Sequence, residues 1–210
     1  MKSSSAIVST SVDAVTHSSS RAFQHTARFG GTALTVTYTL NREEHGRRQL
    51  AEVGAVMDER TLAALLCLPT GDLGQVPARL TRLVDKAEAA GFAVVFQDPD
   101  GQHWAQRRLA APVTVLEISM HARNWDGGSS VLHDWVGYAA RVLHLDELAT
   151  EEKTAVLSEA AFYGIGIAAG ADANTVLPPD NYKPRRWTSA RWRFAELVYA
   201  QYLELAEQSS

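Results

Sequence analysis

Residues 32–40, TALTVTYTL, alternate strictly between apolar and hydroxyl-bearing side chains. Because successive side chains of a strand point to opposite faces, this pattern predicts a half-buried β-strand. The apolar run VTVLEISM at residues 113–120 predicts a second strand. FAVVFQ and QHWAQRR lie on either side of an Asp-Pro-Asp-Gly turn, which predicts a β-hairpin over residues 92–108.

Helical spacing of apolar residues predicts three helices in the first half of the chain. DERTLAALLCL begins at Asp58, a residue type that favours helix starts, and Pro69 and Gly71 stop it. VPARLTRLVDKAEAA is amphipathic and ends before Gly91. The charged stretch REEHGRRQLAEVGAVM, which follows Asn41, opens the third helix.

From residue 126 onward the pattern predicts helices to the end of the chain, interrupted by the loop GADANTVLPPDNYKP. Residues 129–144 place their apolar side chains in one arc, and residues 155–169 are apolar almost all round, which predicts a buried helix. Strands in the first half and helices in the second favour an α+β fold, with a small sheet of hairpin plus strands packed against helices.

A length of 210 residues suits one domain with a tail. Serine and threonine dominate residues 1–28, which predicts a disordered tail, so residues 29–210 are predicted to form a single α+β domain with a C-terminal helix. A net charge of -4 disfavours a protein whose main role is to coat nucleic acid. No apolar run is long enough for a membrane span, and a cytoplasmic location is the default expectation.

Cys67 is the single cysteine, so the chain has no internal disulfide. It falls within the apolar run LAALLCL, and we expect it to be a small core residue.

Two polar positions stand out in the predicted helices of the second half. His133 and Asp134 lie opposite the apolar arc, on a face that borders either solvent or a cleft. Glu159 lies in the almost wholly apolar helix, where a carboxylate without a partner is costly. It is therefore either half of an ion pair with an arginine, or a metal ligand or catalytic acid.

The order of segments from AAGFAVVFQ through VTVLEISMHARNWDGGSSVLHDW and VLSEAAFYGIGIAAGAD to NYKPRRW resembles the zincin-like domains of ImmA/IrrE and antirestriction-type metallopeptidases. The resemblance covers about residues 75–187 and implies a zincin-like fold. In that family a helix carries HExxH, whose two histidines bind zinc while the glutamate activates water. By this resemblance His133 is the first zinc ligand, Glu159 is the distal acidic ligand, and Asp134 takes the place of the catalytic glutamate.

Gly137 stands where the second histidine belongs, and glycine has no side chain to bind a metal. His144 lies three turns beyond His133 in the predicted helix, about 16 Å by helix rise, which is too far to replace it. His121, just before the loop, is the remaining candidate ligand. The resemblance therefore implies zinc that is bound weakly or not at all.

The first hypothesis is a divergent, catalytically inactive metallopeptidase-like protein that acts by binding a protein partner. The resemblance implies a mobile-element, stress-response or DNA-linked setting. The alternative is an active metal-dependent hydrolase that uses His133, Asp134 and Glu159. It would be either a peptidase or a relative of the HD-domain phosphohydrolases. The segment VLHDWVG resembles the motif of that family locally.

The segment KPRRWTSARWRF interleaves arginines with aromatic residues. Guanidinium and indole groups together are typical of sites for single-stranded nucleic acid, which gives a third hypothesis, a nucleic-acid-associated module. Its candidate contacts are Arg185, Arg186, Arg191, Trp192 and Arg193. The other reading is an amphipathic terminal helix anchored by its aromatic face. In an acidic chain this reading predicts only weak binding to nucleic acid.

Overall fold

The structure, a computed structural model, describes residues 21–183 and 186–208. In chain order the described elements are β1 (Ala22–Phe29), β2 (Thr32–Leu40), α1 (Arg42–Leu50), α2 (Glu59–Leu66), β3 (Gly74–Gln75), a 3-10 turn (Ala78–Leu80), α3 (Thr81–Ala89), β4 (Ala93–Gln97), β5 (His103–Arg107), β6 (Val113–Ala122), α4 (Trp125–His133), β7 (Ala140–Leu145), α5 (Lys153–Tyr163), β8 (Ile165–Ala169), β9 (Asn174–Leu177) and α6 (Ser189–Gln208). The predicted α+β class is confirmed.

The described chain divides into two compact units, whereas the sequence predicted a single domain. The first unit contains residues 21–40 and 115–183, and the second contains residues 41–114 and 186–208. The chain leaves the first unit after one hairpin and returns some seventy residues later. Local sequence patterns do not reveal such a return, because they carry no information about long-range pairing.

The first unit is built on a six-stranded sheet in the order β1-β2-β6-β7-β8-β9. β6, β7 and β8 run parallel to one another, and α4 and α5 provide the two connections between them. An antiparallel hairpin, β1 with β2, lies at one edge, and β9 pairs antiparallel with β8 at the other. β2 is half-buried as predicted, with Leu34, Val36 and Tyr38 in the core.

The predicted helix over residues 129–144 is wrong in its second half. α4 ends at His133, and residues 140–145 form β7. Gly137 adopts a left-handed conformation, φ 85°, in the turn between them. β7 is buried along most of its length. A strand buried on both faces lacks the alternation of apolar and polar residues, so its sequence fits a helical pattern equally well.

The predicted helix over residues 155–169 is correct as far as Tyr163 and wrong beyond it. α5 ends at Tyr163, Gly164 caps it in a left-handed conformation, and residues 165–169 form β8. Val156 and Ala160 are the buried residues of α5, so this helix lies on the surface and is not an enclosed one. β9 occupies part of the predicted loop GADANTVLPPDNYKP.

The predicted disordered tail is too long. β1 begins at Ala22 and pairs along its length with β2, so residues 22–28 belong to the sheet. His25 and Phe29 are buried on the face that they share with the apolar residues of β2. The remainder of the predicted tail, residues 1–20, lies outside the described residues.

The second unit combines a three-stranded antiparallel sheet, in the order β3-β5-β4, with α1, α2, α3 and α6. The hairpin and the three helices predicted for this stretch are confirmed, and Asp58 caps α2 as expected. Cys67 is exposed, so its predicted core position is wrong. It follows the last turn of α2, beyond the residues by which that helix packs into the core.

A fully buried ion pair lies in the second unit. Arg48 donates to both carboxylate oxygens of Glu196, at 2.7 Å each, and through Nε to Glu44 at 2.7 Å. It also donates to the carbonyls of Gly54 and Ala110, so that each of its five N–H groups has an acceptor. The sequence suggested that Glu159 could pair with an arginine. In the structure it is Glu196 that forms such a buried pair, with Arg48.

Glu44 gives this network a dependence on pH. Burial alone raises the pKa of Glu44, but hydrogen bonds from Arg47 and Arg48 outweigh it and lower the pKa below its ordinary value. A carboxylate with a lowered folded-state pKa contributes stability that is complete above the pKa of the unfolded chain. That stability is lost as the pH falls through the folded pKa.

We therefore expect Glu44→Gln to be less stable than the wild type at neutral pH, with a difference that shrinks as the pH is lowered. Urea unfolding at a series of pH values measures this. Glu43→Gln, an exposed neighbour, is the control and should follow the wild type throughout. A difference for Glu44→Gln that stays constant down to strongly acidic pH would contradict the expectation.

Candidate anion-binding pocket

A cavity of about 260 Å³ opens in the second unit, close to the start of α1 and the start of α6. It is lined by Asn41, Arg107, Ala110, Ala111, Thr114, Trp187 and Trp192. The lining combines one guanidinium and two indoles with an amide, a hydroxyl and two methyl groups. Among the described residues that line it, none carries a carboxylate, an imidazole or a thiol.

Arg107, the last residue of β5, supplies the charge of this cavity. Its guanidinium carbon lies 4.9 Å from the centre of the Trp192 ring, a cation–π contact. Its Nε is buried and has no hydrogen-bond acceptor among the described residues. Burial lowers the pKa of Arg107, and Glu44 opposes this effect only through its charge, since that carboxylate is already bound by two other arginines.

Two helix N-termini border the cavity. Asn41 is the N-cap of α1, and its side chain accepts from the backbone N–H of Glu44 at 3.2 Å. Thr188 caps α6 in the same way, because its hydroxyl accepts from the N–H of Arg191 at 3.2 Å. Each helix N-terminus carries a partial positive charge. Glu43 and Glu44 offset this charge in the first turn of α1, whereas the first turn of α6 has no acidic residue.

The two tryptophans play different parts. Trp192 is only 1% exposed and donates through Nε1 to Glu196 at 2.9 Å, so it forms a fixed wall of the cavity. Trp187 is 36% exposed, and the guanidinium carbon of Arg191 lies 4.3 Å from its ring centre. Trp187 is therefore the aromatic surface of the cavity that a ligand can reach.

This arrangement corrects the predicted nucleic-acid contacts. Trp192 cannot stack on a base, because it is buried against Arg107 and Glu196. Arg191 is buried as well, and Arg193 lies 3.8 Å from Glu59 in an exposed ion pair. Arg186 is exposed, and Arg185 lies outside the described residues. Arg107, which sequence reasoning missed, had no signal beyond its place at the end of the predicted hairpin.

The residues of the predicted metal site lie in the first unit. His133 ends α4, where its Nδ1 is 2.6 Å from the carbonyl of Ser129 and its ring packs edge-on against Tyr163 at 4.4 Å. Asp134 is exposed directly after α4. Glu159 is exposed on α5, one helical turn before Tyr163, so its predicted burial is wrong.

His121 has a different neighbour from the predicted one. It lies on β6, directly opposite His144 on β7, and the two rings stack with centres 4.8 Å apart and planes 23° apart. Burial lowers the pKa of His144, and the charge of His121 lowers it further. Sequence reasoning missed the pair because it placed His144 in one long helix with His133.

Within residues 21–183 and 186–208, no three or more histidine, cysteine, aspartate or glutamate side chains gather in a way that could hold a metal ion. No helix in the same residues is long and apolar enough to cross a membrane. No family model, curated protein or solved structure matches this chain.

Proposed function

We propose that this protein acts by binding, without catalysis, and that the cavity beside Arg107 holds the oxyanion group of its ligand, a carboxylate or a phosphate. The observation that carries the proposal is the buried Nε of Arg107, which has no acceptor among the described residues. A buried donor left without a partner costs about 1–3 kcal/mol. Arg107 lines the cavity, and an oxyanion there would pair with its guanidinium, in the planar geometry that this group matches.

The surroundings of Arg107 favour the same ligand. The N-terminus of α6 adds positive potential at the cavity, which attracts anions, whereas Glu43 and Glu44 offset the N-terminus of α1. The part of the lining that the structure describes includes no group suited to act as a general base, which favours binding over catalysis. A volume of about 260 Å³ lies below the usual range for drug-sized ligands, so the cavity suits a small acid or the end of a larger molecule.

This proposal keeps the first hypothesis from the sequence in its main point, that the protein acts through binding. The zincin-like fold, the protein partner and the cytoplasmic location stay predictions. The active hydrolase also stays a prediction. The exposure of Glu159 and the packing of His133 on Tyr163 give it less support than the cavity gives to anion binding.

The test is a titration of the full chain with inorganic phosphate, acetate and a 5′-phosphorylated oligonucleotide, followed by NMR of the arginine Nε–H and tryptophan Nε1–H groups. We expect a saturable shift of the Arg107 and Trp187 signals with at least one of these anions. Arg107→Gln should weaken binding at least tenfold, because it removes both the charge and the fork of donors. A tenfold loss corresponds to about 1.4 kcal/mol.

Arg108→Gln is the matched control, since Arg108 is exposed and does not line the cavity. It should bind as the wild type does. Arg107→Gln should unfold at the same temperature as the wild type or higher, because a half-buried cation without an ion-pair partner among the described residues has been removed. Equal binding by Arg107→Gln and the wild type, or no shift with any of the three anions at millimolar concentrations, would refute the proposal.

A further inference from the structure

We propose that His121 and His144 form a site in the first unit for a divalent transition-metal ion such as Cu²⁺, Ni²⁺ or Zn²⁺. The two residues are direct neighbours on the parallel strands β6 and β7. Each is the second-last residue of its strand, so the pair lies at the carboxyl ends of the strands. Ligands of open parallel sheets bind beyond that edge.

The distance between the rings suits one shared ion. Imidazole nitrogens bind zinc at about 2.0–2.1 Å, so two nitrogens that share an ion are at most about 4.2 Å apart. The ring centres lie 4.8 Å apart, and His121 is exposed. A rotation of the His121 ring therefore brings one of its nitrogens within range of the ion, without movement of the strands.

His144 supplies the fixed half of the site. Its Nδ1 is buried and has no hydrogen-bond partner among the described residues, which leaves Nε2 as the nitrogen that can reach an ion. Neutral imidazole is the ligand form, and it suits copper, nickel and zinc.

The site differs from the one expected by resemblance to zinc peptidases. The expected site uses His133 and Glu159, with His121 as a third ligand. In the proposed site His121 is paired with His144. No third histidine, cysteine, aspartate or glutamate joins the pair among the described residues, so water completes the coordination. Two protein ligands bind an ion more weakly than the closed four-ligand sites of structural zinc.

The experiment uses the full chain without a polyhistidine tag. His17 is replaced by alanine in every variant, because it lies outside the described residues and could bind metal by itself. Isothermal titration with Ni²⁺ and Zn²⁺ gives the affinity. Electron paramagnetic resonance of bound Cu²⁺ counts the coordinating nitrogens. We expect one ion per chain, with two histidine nitrogens in the copper spectrum.

His121→Ala and His144→Ala should each weaken binding at least tenfold. His121 is exposed, so its variant should fold even if the change at His144 disturbs the sheet. His133→Ala and Glu159→Ala are the matched controls and should bind as the parent does. Loss of binding in those controls, unchanged binding in His121→Ala, or no binding by the parent chain would overturn the proposal.

Discussion

Replacing Glu196 with glutamine is expected to lower the free energy of unfolding by about 3–5 kcal/mol. Arg48 and Glu196 are both inaccessible to solvent, and the two hydrogen bonds between them measure 2.7 Å each. Glutamine keeps the size of the side chain but removes the charge, so that Arg48 retains only Glu44 as its acidic partner. Glu196 also accepts from the Trp192 indole and from the backbone of Val56, and glutamine can satisfy fewer of these donors.

Urea unfolding of the wild type and the variant measures the loss. Glu204→Gln, on the exposed face of α6 two turns later, is the control and should change stability by less than about 0.5 kcal/mol. The double variant Arg48→Met with Glu196→Leu should recover much of the loss, because buried pairs are often replaceable by apolar residues of similar volume. A small effect of Glu196→Gln would mean that the pair is solvated.

Replacing Gly128 with alanine is expected to destabilise the first unit by about 1–3 kcal/mol, although alanine is the better helix former. A Cβ atom built on Gly128 lies 2.3 Å from Cδ1 of Leu143 and 3.0 Å from Cβ of Ala122. Leu143 is inaccessible to solvent within the sheet, so it has little room to move. The added methyl group therefore pushes α4 away from β7.

Gly46→Ala in α1 is the matched control, because nothing lies within 4 Å of a Cβ at that position. It should stabilise the second unit by up to about 1 kcal/mol. The same change, glycine to alanine, is therefore expected to raise stability in α1 and to lower it in α4. Native-state hydrogen exchange assigns each effect to its unit. If both variants are stabilised, the close contact between α4 and β7 does not exist.

How much the sequence reveals about an element depends on how that element is buried. β2 was predictable because one of its faces is apolar and the other carries threonines, and α2 because Asp58 caps it and Pro69 follows it. β7 and β8 were read as helix because both are buried along most of their length, which removes the alternation that identifies a strand.

For the candidate sites too, the sequence shows the residue types but not which distant residues meet. His121 and His133 drew attention by residue type, but the stacking of His121 on His144 depends on the register of two parallel strands. The cavity brings together Asn41, the end of β5 and the residues before α6, which are far apart in the chain. The spacing of apolar residues describes neighbours within one helix or strand and contains no information about contacts between distant segments.

The sequence by itself determined the α+β class, the strand β2, the hairpin of β4 and β5, and the helices of the first half. These features depend on local spacing, turn residues and caps, which act within a few residues. Tertiary structure alone decided the division into two units, the pairing of Arg48 with Glu196 and the burial of the Arg107 Nε atom. These depend on which distant segments meet, because burial and partnership are properties of the packed chain.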